Sequence, residues 1–131
     1  MSNFSVSRKL FNRTFSLIER SLDVRTLNHR VLSGNIANAE TPDYLAREVP
    51  FEKVLEKSMD ASQGIGLKRT HARHLPEDLD EDPGVEMTTE AVDIDKEMAK
   101  LAENNIMFQA GVQTLVKKFE GLKFTILDIG R

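Results

Sequence analysis

The chain has 131 residues, near the usual size of one domain, with 30% charged, 40% hydrophobic and only 6% aromatic residues, and neither Cys nor Trp. The lack of Cys excludes disulfides, zinc–thiolate centres and cysteine nucleophiles, and a net charge of −3 speaks against a dedicated nucleic-acid binder. The first residues hold no continuous apolar stretch of signal-peptide length, and no window reaches the roughly 18 apolar residues of a membrane span, so neither a cleaved signal nor a direct membrane span is expected and the cytosol is the default location.

The first predicted element is a long helix from about Phe4 to Ala39. Leu10, Leu17, Val24 and Val31 repeat at intervals of seven, and Phe11, Phe15, Ile18 and Leu22 form an adjacent stripe. At about 100° per residue the two stripes cover well over half the circumference, more than the single face a monomer's surface helix shows. Such a helix is expected to be surrounded. Residues 1–36 carry Arg8, Lys9, Arg13, Arg20, Arg25 and Arg30 against Glu19 and Asp23, a local charge of +4. Three readings stay open: a solvated edge, pairing with an acidic surface, or a membrane-surface helix that inserts Phe4, Phe11 and Phe15. Residues 76–98, with ten carboxylates against Lys96, offer one such acidic surface. His29 on this helix reads as a packing or surface residue.

The run Asn35-Ile36-Ala37-Asn38-Ala39-Glu40-Thr41-Pro42-Asp43-Tyr44 ends the helix, because Pro42 drives Thr41 out of the helical region. Asn35 and Asn38 can bond to backbone groups left without helical partners, and Pro42-Asp43 favours a turn after which Tyr44 packs back. Composition alone makes this a decorated helix stop. Pro50 followed by Phe51, Val54, Leu55 and Met59 predicts a short amphipathic helix with Pro at its start. From Asp60 to Pro83 apolar periodicity is absent, and residues 60–84 read as a mobile loop or a short hairpin. His71 and His74 have a spacing that can chelate a metal on a helix, but no third ligand accompanies them and no metal is expected.

The last element is the most regular. From Ile94, alternating steps of four and three reach Met98, Leu101, Asn105, Phe108, Val112, Leu115, Phe119, Leu122 and Ile126, and only Asn105 is polar. A repeat of 3.5 residues held this long is the pattern of a supercoiled seam. Asp93 is the expected N-cap, with Asp95 and Glu97 at the positive end of the helix dipole. Asn105 is either a register-setting polar residue in the seam or a solvated one. Gly111 and Gly121 mark close approaches or bends. A helix from Ile94 to Ile126 spans about 50 Å, long for a chain of this size, so it needs more than one neighbour.

Phosphate-cradling loops, nucleophile elbows and carboxylates between apolar walls are all missing, so no catalytic, metal or cofactor site is expected. The expected fold is mainly α: two long terminal helices forming a coiled coil or bundle, joined by an irregular middle with a short helix and room for a small hairpin. One domain is expected over 1–131, divided into 1–40, 41–91 and 92–131. A generic coiled-coil adaptor forming a small oligomer satisfies the same pattern.

The stretch Val31-Leu32-Ser33-Gly34-Asn35-Ile36-Ala37-Asn38-Ala39-Glu40-Thr41-Pro42-Asp43-Tyr44 resembles the signature of bacterial flagellar rod and hook proteins. The run from Val92 to Asn104, continuing to Phe119-Glu120-Gly121-Leu122-Lys123, looks like the C-terminal helix of the proximal rod members of that family. The two matches lie at opposite ends, in family order. Asp43 departs from the Gly usual in the family's Thr-Pro-Gly-Tyr turn, a place where Asp tolerates the geometry better than most residues. The resemblance implies a structural, non-enzymatic subunit exported through the flagellar type III apparatus without a cleaved signal. It would assemble in the rod crossing the periplasm, beside copies of itself, FlgC-like rod proteins and a FliE-like basal-body protein. It further implies that the stripes of both terminal helices form the assembly seam and that Asn35, Asn38, Thr41, Pro42 and Tyr44 form the family's turn.

Overall fold

The structure, a computed structural model, describes residues 2–60 and 84–129, with side chains over 13–60 and 84–127. The side chains of Leu10 and Phe11, and His71, His74 and nearly all of the 60–84 segment, lie outside the described residues. The elements follow in the order α1 (Ser2–Ala37), β1 (Leu45–Glu48), α2 (Phe51–Asp60), β2 (Glu86–Ala91) and α3 (Ile94–Ile129).

The helix boundaries follow local chemistry. Backbone N–H groups of Asp95 and Lys96 donate to Asp93 Oδ1 at 3.1 and 3.2 Å, and Glu97 N donates to the Asp93 carbonyl, so Asp93 is the N-cap of α3. Pro50 supplies the carbonyl that accepts the first bond of α2, from Val54 N at 3.0 Å, and needs no N–H of its own there. The α1 C-terminus closes through Asn38, whose N–H and Nδ2 both donate to the Gly34 carbonyl.

Helices α1 and α3 run antiparallel along each other, and α2 and β1 pack on α1. Asn35 meets Glu97, Asn28 meets Asn104, Leu22 lies over Gly111, and Phe15 meets Phe119 with ring centroids 5.0 Å apart. The deepest apolar residues, Val24, Val31, Leu32 and Ala46, gather around the C-terminal half of α1, where the other elements converge.

Strands β1 and β2 form an antiparallel pair, with Arg47 opposite Met87, Glu48 opposite Glu86, and a bulge between Leu45 and Arg47. The Thr88 hydroxyl spans the bulge by donating to the Ala46 carbonyl at 2.8 Å. Sequence periodicity places no strand at either position; the small hairpin allowed for in the middle of the chain is this two-stranded pair, which flanks the 60–84 segment, and the loop-or-hairpin reading of that segment lies outside the described residues. Five of the six β2 residues are exposed, so neither face imposes the alternation that betrays a strand.

Candidate assembly interface

Two clusters of residues carry the arrangement: a polar junction at the end of α1, and the long faces of α1 and α3. At the junction Asn35 is completely buried. Its Nδ2 donates to the Arg47 carbonyl at 2.8 Å and to Glu97 Oε2 at 2.7 Å. Its Oδ1 accepts from Arg47 N at 3.0 Å and from the Tyr44 hydroxyl at 3.3 Å. One amide thus joins α1, β1 and α3, and the reading of Asn35 as a mere helix stop is too small.

The turn behind it is built from the other motif residues. Thr41 N donates to the Asn38 carbonyl at 2.9 Å and Tyr44 N to the Thr41 carbonyl at 3.3 Å. Pro42 takes the second position, and Asp43 takes the third with φ of 61°. That is the type II pattern, which calls for a positive φ at its third residue. Asp43 is therefore the residue on which the family's glycine would sit, held in the left-handed region. Tyr44 swings back toward Asn35, while Thr41 and Pro42 remain exposed.

Glu97, buried in the first turn of α3, is shared between Asn35 and Lys100, whose Nζ lies 3.1 Å from Glu97 Oε1 and 2.6 Å from Glu48 Oε1. Lys100 ties α3 to β1. The Glu48 hydrogen bond pushes the Lys100 ammonium above its ordinary range against the opposing effect of burial, with Glu97 adding to the rise. Beside this strut a cleft of about 330 Å³ is lined by Arg25, Leu32, Met87 and Asn104 among others. The Arg25 guanidinium lies 4.3 Å from the Phe51 ring centroid, a cation–π contact that docks α2 on α1.

The α1–α3 face differs from the expected seam by one step. Leu101, Phe108, Leu115 and Leu122 are partly covered as the repeat requires, but the residues that alternate with them toward α1 are Glu97, Asn104 and Gly111. Asn104 is buried; its Nδ2 donates to the Arg25 carbonyl at 2.9 Å, and its Oδ1 accepts from Asn28 Nδ2 at 3.2 Å. Asn105 is exposed, so in this chain the polar residue inside the pair is its neighbour. The other half of the expected seam lies at the margin: Met98 is 52% exposed, Val112 37%, Phe119 56% and Ile126 68%, and Ile94 is also exposed. Ile106, Val116, Phe124 and Leu127 add further uncovered apolar surface to α3.

On α1, Val24 and Val31 are buried, Phe15, Ile18 and Leu22 are half-buried, and Leu17 is exposed. Arg20, one of the basic residues, is held by neutral partners, Ser16 and Ser58. His29 lines a shallow groove with Arg25, Thr26, Asn104, Asn105 and Phe108. No helix among the described residues is long and apolar enough to cross a membrane.

A chain of exposed apolar helix faces around a polar junction is suited to assembly, and comparison with known proteins says of what kind. No family profile matches the chain. It is 34% identical over 131 residues to the flagellar basal body rod protein FlgB of Bacillus subtilis, covering 93% of this chain and 98% of that protein. It is 30% identical to the protein of the same name from Yersinia enterocolitica, and 29% to that of Escherichia coli. Each covers 79% of this chain and 86% of the relative.

Proposed function

Because the chain belongs to the FlgB family of flagellar basal body rod proteins, and is thus a structural subunit of the rod, we propose that it builds the proximal rod by packing the outer faces of α1 and α3 against helices of neighbouring subunits. The observation that carries this reading is the apolar margin of α3, where Met98, Val112 and Ile126 stay exposed among the described residues. Large apolar side chains in a row favour burial by about 25 cal/mol per Å² removed from water, and a rod lattice provides the cover. The neighbours are further copies, a FlgC-like rod protein and a FliE-like basal-body protein, within the periplasm. Delivery is through the flagellar type III apparatus without signal cleavage. The chain acts as one rod-protein domain, and its work is mechanical: interdigitated helices transmit torque, with no catalytic step.

Photoreactive groups at Leu17, Asn38 and Val112 in intact cells test this. Adducts to rod and basal-body proteins in a detergent-resistant basal-body fraction are expected. Adducts confined to further copies of the chain, in a soluble fraction, would instead favour a small coiled-coil adaptor.

A further inference from the structure

Helix α3 offers two faces to α1. Both share Leu101, Phe108, Leu115 and Leu122; one completes the seam with Met98, Asn105 and Val112, the other with Glu97, Asn104 and Gly111. Apolar burial alone favours the first, which is polar only at Asn105, yet the fold turns the second inward. The reason lies on α1, where Asn35 and Asn28 stand seven residues apart, opposite Glu97 and Asn104, themselves seven apart. Thr14 and Ser21 continue that spacing on α1, as Gly111 and Lys118 do on α3. The polar position on each helix therefore matches the polar position on the other, and Gly111 leaves the space that Leu22 fills: a Cβ there would lie 2.9 Å from Leu22 Cδ2.

We propose that these polar rungs set the rotation of α3 about its own axis, keeping its most apolar stripe turned outward for a helix of a neighbouring rod subunit instead of against α1. The stripe is continuous with the seam inside the chain, because Leu101, Phe108, Leu115 and Leu122 border both. Moving from one face to the other needs a turn of only about 50°, half the angle between successive helical residues. Such a turn would bury Met98 and Val112 within the chain. It would also break the Asn35–Glu97 and Asn28–Asn104 bonds in a covered setting, where an unmet polar group is costly. Buried polar residues are known to select one helix alignment at the expense of stability, and here they select a face. The inference rests on the assembly reading above, since the outward stripe has a purpose only if a neighbour covers it.

The test uses the full-length chain, which has no cysteine of its own, with a single reporter: Val112→Cys on the outer stripe or Phe108→Cys in the inner seam. With the rungs intact, maleimide is expected to react several-fold faster at position 112 than at 108. In an Asn28→Ala/Asn104→Ala background that ratio is expected to fall toward one or invert. Adding Met98→Gln makes the competing face more polar and is expected to restore it. An unchanged ratio in the Asn28→Ala/Asn104→Ala background overturns the proposal, as does a loss that the added glutamine fails to rescue, because rotation is reversible in this way and simple unfolding is not. A separate variant, Met98→Asp/Val112→Asp, examines the assembly reading by itself. If cells carrying it build rods and swim normally, that reading fails whatever the labelling ratio shows.

Discussion

Asn35 holds four hydrogen bonds in a site with no access to water, and every partner belongs to a different function of the fold. One comes from the Arg47 N–H and one goes to the Arg47 carbonyl, and together they align β1; one comes from Tyr44 and closes the turn; one goes to the Glu97 carboxylate and anchors α3. Asn35→Ala would leave Glu97 buried beside Lys100 alone and remove the side-chain bonds to the Arg47 N–H and carbonyl. At about 1–3 kcal/mol for each buried group left unmet, the loss should reach about 3 kcal/mol or more, visible as a lower denaturant midpoint. Asp43 behaves oppositely. Its φ of 61° strains any residue with a Cβ, so Asp43→Gly should stabilise the turn by about 0.5–1 kcal/mol, whereas Asp43→Val should cost about 1–2 kcal/mol. Thermal unfolding of the pair separates them by sign.

At the scale of elements, the two glycines of α3 have different reasons to be there. Gly121 has nothing within 4 Å of the space a Cβ would take, so Gly121→Ala should raise stability by about 1 kcal/mol through helix propensity alone. Gly111 faces Leu22, and Gly111→Leu should push α1 and α3 apart at a cost of about 1–3 kcal/mol. Circular dichroism during chemical unfolding reads both. The helices themselves are legible in the sequence because periodicity, the Asp93 cap and the proline at the start of α2 are local signals. The two strands are not, since four and six mostly exposed residues carry no alternation, and their pairing depends on Asn35 reaching Arg47. The inner face of α3 is hidden for a related reason. A search for apolar repeats selects Met98, Asn105 and Val112, whereas the polar partners that select Glu97 and Asn104 lie 62 and 76 residues away. The turn motif is readable as a turn, but nothing near Asn35 in the chain announces that it will be covered by three elements.

For the molecule as a whole, the ion pairs of Lys100 form a strut between α3 and the sheet. Its pKa is raised in the fold, so the strut's contribution is complete below the ordinary lysine value of 10.5 and disappears as pH climbs through the raised one. The lysine side chain is 43% exposed, which limits the effect to under about 1 kcal/mol. Lys100→Met should therefore lower the neutral part of a Tm-against-pH curve slightly and flatten its alkaline arm, so that the two curves converge at high pH. A curve with the same alkaline slope in both proteins would show that the strut is idle.

The Asn35–Glu97 contact joins residues separated by 62 positions, and Asn28–Asn104 by 76. Contacts so distant along the chain form late, because the loop between them must first be closed against its entropy. Until the last third of the polypeptide is present, α1 carries amides on its inner side with nothing to receive them, and an early apolar partner cannot satisfy them. A chain synthesised or threaded from its first residue onward would hold its leading helix uncommitted for most of the journey, and commit it in one step when the final helix arrives.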